Sequence, residues 1–316
     1  MRKYLFCLIA APLLMAPSPS DVRVVDGGGL VMGSVNGVPA RLRVDPSALA
    51  IPLVTEDLAR RAKLKPSFMA LEYMVGPKRI QGNSAVGRID SGTGAVKRRI
   101  GWVPDLGQTA IDGVIGPGMM KESRVHFRLR PARDGEQEVT FPLVDQGGLE
   151  ARWGERYGLM RIGGRTLRLQ FDPSRADTLV NAQTGATLAS LLGGRWDGAP
   201  SEASIAFGVA RPVRPLRFVT PLAIGPVQLT RLWVRTQDFG SSAAISEGPP
   251  DPDEIVVLGG KQRNARYDVI RLGADVLDHC SSLVFDKRAK TSGFHVVRIL
   301  LPGTASSNCN RAVNRL

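Results

Sequence analysis

The chain reads as an all-β protein of two lobes related by a pseudo-twofold axis, each a barrel of short strands with few, short helices. Three observations predict it. Asp-Pro-Ser occurs twice, at Asp45-Pro46-Ser47 and Asp172-Pro173-Ser174, and each copy closes an alternating strand. The elements that follow the two copies recur in the same order. Gly (35) and Pro (22) punctuate the 316 residues, and long helical periodicity is scarce, which is the pattern of short strands joined by turns. A repeat that returns an aspartate to one structural position brings two carboxylates towards a common axis.

Met1-Arg2-Lys3 is a positive start, Tyr4 to Met15 is largely apolar, and small residues and prolines run from Ala16 to Ser20. Residues 1–20 are therefore expected to be a secretory signal peptide cut near Ser20, with a short membrane anchor as the alternative. That predicts export to a bacterial periplasm or out of the cell. No later run reaches the ~18 apolar residues of a membrane helix. Beyond the leader, Cys280 and Cys309 either pair, tying the tail to the second repeat, or stay two buried thiols.

The first lobe is expected over 21–130. Leu30 to Val35 and Ala40 to Val44 form a hairpin about Asn36-Gly37, a favoured two-residue turn. The second strand delivers Asp45, and Pro46 ends it. Thr55 to Leu64 is a short helix: Thr55 caps it, Glu56 and Asp57 suit its first turn, and Arg60 and Arg61 its last. Glu72 to Gly87 is a hairpin with turn signals at Gly76-Pro77 and Gly82-Asn83, either a flap over a cleft that brings Tyr73, Gly76 and Pro77 to a ligand or an ordinary hairpin. Strands over Val86 to Ile89 and Ala95 to Val103 lead to Asp112-Gly113-Val114-Ile115-Gly116, and Val125 to Leu129 is a last strand. A linker with inter-lobe strands is expected over 131–158.

The second lobe, 159–290, repeats this. Overlaid on the first copy, Gly164, Arg168, Leu169 and Phe171 fall on Gly37, Arg41, Leu42 and Val44. A helix within Thr178 to Leu192, a hairpin over Ser201 to Val213 and two short strands about Gly225-Pro226 follow. Then come an inserted loop over Ser241 to Glu254, an imperfect counterpart Arg271-Leu272-Gly273, and a strand from Ser282 to Asp286. Residues 291–316 form a polar tail. Trp102 and Trp233 lie in corresponding late strands and are expected in the core.

This order resembles the pepsin/retropepsin group of aspartic peptidases, particularly its bacterial retropepsin-like members. The likeness rests on Asn36 to Asp45, Glu56-Asp57-Leu58-Ala59-Arg60-Arg61, Ile111 to Gly116 and Leu272 to Leu277, and covers about residues 30–290. It implies a bilobal acid-protease fold and a catalytic dyad at Asp45 and Asp172. Two adjacent carboxylates share a proton, so one can activate water while the other donates to the substrate carbonyl. No metal or cofactor is called for, and none of His126, His279 and His295 has metal-ligand spacing.

The departure is as informative. Pro46 and Pro173 stand where the family has Thr or Ser, and have neither the hydroxyl nor the N–H that tie the two loops together. Ser47 and Ser174 stand where it has Gly, and their hydroxyls either replace the lost bonds or occupy the place of the water. An exported endopeptidase is the leading expectation, and a non-catalytic relative that binds peptides or envelope proteins in its cleft is the alternative. The net charge of +13 also fits an anionic envelope component as partner. Short basic clusters without interleaved aromatics (Arg60-Arg61, Lys97-Arg98-Arg99) do not make a nucleic-acid site. The internal repeat predicts a monomer.

Overall fold

The structure, a computed structural model, describes residues 21–48, 51–145, 156–247, 268–287 and 295–302. The expected leader (1–20), part of the linker, most of the inserted loop, Cys309 and most of the tail lie outside the described residues. Among the described residues no helix is long and apolar enough to cross a membrane. Cys280 is a buried free thiol.

The first lobe runs β1 (Val22–Val25), β2 (Leu30–Val35), β3 (Val38–Val44), β4 (Leu53–Thr55), α1 (Glu56–Arg61), β5 (Leu71–Val75), β6 (Lys78–Asp90), β7 (Val96–Val103), β8 (Gly113–Ile115) and β9 (Arg124–Arg128). The second runs β10 (Glu136–Asp145), β11 (Arg156–Ile162), β12 (Arg165–Phe171), β13 (Leu179–Asn181), α2 (Ala182–Leu192), β14 (Arg195–Trp196), β15 (Ser201–Ala206), β16 (Val209–Ile224), β17 (Val227–Arg235), β18 (Val269–Leu272), α3 (Ala274–Leu277), β19 (Ser282–Asp286) and β20 (His295–Pro302). The fold is all-β, with two lobes of barrel-like sheets and few, short helices.

Each lobe repeats one ladder. β3 lies parallel to β8, β4 is antiparallel to β8 and parallel to β7; β12, β18, β13 and β17 pair in the same senses. In the first lobe β2 also pairs with β6, closing the sheet on itself. Its entry hairpin turns at Asn36 (φ 47°) and Gly37 (φ 83°), left-handed conformations that this pair of residues accepts. Thr55 caps α1 by accepting from Leu58 N–H, and Asn181 caps α2 by accepting from Thr184 N–H.

The helix expected within Thr178 to Leu192 is α2; Thr178 itself stays outside it, because it hydrogen-bonds Asp275 through both its N–H and hydroxyl and leads into β13. Two local expectations need correction. β16 is one long strand, so the hairpin over Ser201 to Val213 and the strand at Leu222 are continuous. Trp102 is buried but Trp233 only half so. Trp102 pairs with Val54, whereas Trp233 pairs with Leu179, one position earlier in the equivalent strand, and a slip of one turns a side chain to the other face.

The lobes are joined beneath the Asp-Pro-Ser turns. β9 pairs with β19, which pairs with β20, which pairs with β10. Phe127 packs edge-on against Phe285 (5.9 Å), and so does Phe171, the residue before Asp172 (6.1 Å). All three rings are buried, each burial contributing about 2 kcal/mol or more. This layer fixes where the two strand ends emerge.

Candidate functional site

β3 buries Ala40, Leu42 and Val44 and exposes Arg41, so its alternation delivers Asp45 at the top of the barrel. Asp45 N–H donates to Ile115 C=O (2.9 Å), and Ala48 N–H returns to Asp45 C=O (3.1 Å), a turn that Pro46 fits because it needs no donor there. The second copy repeats both bonds: Asp172 N–H to Leu272 C=O (2.9 Å) and Arg175 N–H to Asp172 C=O (3.1 Å). Both aspartates are 6% exposed and line the same cavity of about 750 Å³, together with Ser47, Ser174 and Tyr73. Burial, and then the charge of Asp172, hold the Asp45 carboxyl above the usual carboxylate range; the Ser47 bonds and Arg271 oppose this less strongly.

The serines serve their own aspartates. Ser47 donates to Asp45 Oδ1 from both N–H and Oγ–H, each at 2.7 Å, and Ser174 Oγ–H donates to Asp172 Oδ1 at 2.6 Å. The tie between lobes comes from elsewhere. Buried Gln170, two residues before Asp172, donates from Nε2 to Ser47 C=O at 3.0 Å, 123 residues away. Arg271 Nε–H donates to Gln170 Oε1 at 2.9 Å and so orients the amide.

Guanidinium groups crowd one side of the cavity. Arg175 Nε stands 3.7 Å and Arg271 Nη1 3.9 Å from Asp172 Oδ2. Arg175 Nη2 also donates to Ser204 C=O (2.8 Å), and Arg271 Nη1 to Ile205 C=O (3.4 Å), holding β15 down. Burial pulls Arg235 down to about 10 although Asp238 opposes it. Such a crowd of half-buried cations is costly unless paired with anions.

Two hairpins cover the cavity. Tyr73 of β5 meets Phe207 of the β15–β16 turn, ring centroids 5.1 Å apart. Gly76 and Pro77 sit at the tip of the first hairpin and are not cavity-lining residues. The tip rests on the other lobe: a Cβ at Gly76 would run into the buried Asp238 carboxylate, itself held by Arg211 (Nη2 2.8 Å).

Of the residues singled out in the sequence, Asp45, Asp172, Ser47, Ser174 and Tyr73 converge on one cavity. Sequence reading missed Arg43, Gln170 and Arg175, and met Arg271 only as an imperfect repeat. The available signal was charge mismatch within the repeat: Arg43 aligns with Gln170, and Val114 with Arg271.

No family model matches the chain, and no curated protein does. Among solved structures, the retroviral protease-like domain of Ddi1 from Leishmania major is similar at 16% identity, with a TM-score of 0.22, over 28% of this chain and 70% of that one. At that score the likeness adds nothing to what the topology itself shows.

Proposed function

We propose that the chain is an aspartic-type peptide hydrolase that takes an extended peptide between its hairpins and its Asp-Pro-Ser turns. One observation carries the reading: the two pseudo-equivalent strand ends present buried carboxylates with unequal surroundings to a single cavity. Asp45, pushed towards its neutral form, is the member suited to donate a proton to the scissile carbonyl. Asp172, with two guanidinium groups within 4 Å, is suited to carry the charge and take a proton from water. Ser47 and Ser174 hold the carboxylates, and Gln170 in place of the missing hydroxyls holds the loops in register. The test is hydrolysis of an unstructured protein at acid pH. Asp45→Asn is expected to lower kcat at least about a hundredfold; full activity in that variant would overturn the reading.

A second reading has its own support. The hairpins touch through Tyr73 and Phe207, and each aspartate already accepts from a serine. A non-catalytic cleft that binds peptides without cutting them fits those contacts, and tight peptide binding with no turnover by the natural chain would select it. The leader-like residues 1–20 support export; recovered protein is expected to begin near residue 21 on N-terminal sequencing.

A further inference from the structure

The pseudo-twofold axis pairs Arg43 with Gln170, each two residues before its aspartate and on the same strand face. Gln170 is engaged at both ends of its amide, donating to Ser47 C=O and accepting from Arg271. Arg43 is not. It lines the cavity, its Nε is buried without a hydrogen-bond partner, and among the described residues no hydrogen bond or ion pair engages its side chain. The other cavity arginines are committed: Arg175 to the carbonyls of Ser204 and Ile205, Arg271 to Gln170 and Asp172, Arg235 to Asp238. A half-buried guanidinium with no counter-charge is costly, and an incoming anion relieves that cost.

We infer that Arg43 selects a peptide carrying a carboxylate beside the bond placed over Asp45 and Asp172, so that the cleft favours acidic peptides. The guanidinium fork matches a carboxylate in a way that a neutral amide cannot reproduce. The net charge of +13 adds a long-range attraction for the same class of ligand. This inference rests on the peptide-cleft reading above, and its test separates the two.

Two peptides capped at both ends, differing only as Glu against Gln beside the cleaved bond, are compared on the chain lacking residues 1–20. Cleavage of the Glu peptide is expected to exceed that of the Gln peptide about tenfold or more in kcat/KM. Arg43→Gln should bring that ratio close to one, and Arg43→Lys should restore part of it. Should neither peptide be cut, hydrolysis fails but the inference is still tested, by binding of the same fluorescently labelled pair to the Asp45→Asn chain. Preference for Glu that Arg43→Gln removes supports it. Equal binding, no binding, or a preference unchanged by Arg43→Gln overturns it. A Gln peptide with a free C-terminus tells whether a chain-end carboxylate serves as well as a side chain; recovery of the Arg43-dependent gain supports carboxylate recognition from that source. Added salt is expected to weaken both capped peptides but to leave most of their ratio, because a contact pair in a half-buried site is screened less than long-range attraction. A ratio that collapses with moderate salt would assign the preference to overall charge and overturn the role of Arg43.

Discussion

The two lobes share a frame and differ in what stands around the carboxylates. Both present a strand parallel to its crossing partner, an aspartate whose N–H meets a carbonyl of that partner, and a Pro-Ser turn. Yet Asp45 is held by two donors from Ser47, whereas Asp172 has one from Ser174 and two guanidinium groups nearby. Even the hairpin tips diverge: Gly76 takes its left-handed φ of 62° freely, while Phe207 holds φ 54° at a cost of about 1–2 kcal/mol, with its ring against Tyr73. Topology thus sets where the carboxylates emerge. Side chains two residues earlier, and on the crossing strand, set what each carboxylate can do.

The largest expected effect probes the inter-lobe tie. Gln170→Leu removes the bond to Ser47 C=O and leaves a buried face of Arg271 unsatisfied. It should destabilise the chain by about 2–3 kcal/mol, read from denaturant midpoints. The pseudo-symmetric change, Arg43→Leu, breaks no side-chain hydrogen bond among the described residues and should cost much less. Equal losses would mean that Gln170 is not a tie and that the lobes are more alike than their contacts.

What sequence could reveal here follows the range of each interaction. The Asn36-Gly37 turn, the Thr55 cap and the two strands ending in aspartate depend on neighbours a few residues away, and they stand as read. Where α2 begins inside Thr178 to Leu192 was not legible, because Asp275, 97 residues from Thr178, takes Thr178 out of the helix. Gln170 was invisible for the same reason. A glutamine before an aspartate has no local signature, and only the packing of one lobe on the other carries its amide to Ser47. Pro46 and Pro173 announced that the usual tie was gone, but nothing near them named its replacement.

The smaller effect concerns the unequal surroundings of the two carboxylates. The carboxyl of Asp45 is raised from its ordinary 3.8 by burial and by Asp172. A group raised in the folded state contributes stability below its unfolded value and loses it as pH climbs through the folded one. At pH 7, above the unfolded value, that stability is lost, and Asp45→Asn, which cannot ionise, should gain stability and raise Tm by about 1–2 °C for each kcal/mol gained in a chain of 316 residues. Below pH 3.8 both chains carry a neutral group there and the gain should vanish. Asp172→Asn should show no such gain, because it strips Arg175 and Arg271 of a carboxylate that stands within 4 Å of both. Thermal melts of the three proteins at pH 3 and pH 7 decide it. A gain in Asp172→Asn matching that in Asp45→Asn would show that the arginines do not distinguish the two carboxylates, and would remove the basis for giving the pair unequal roles.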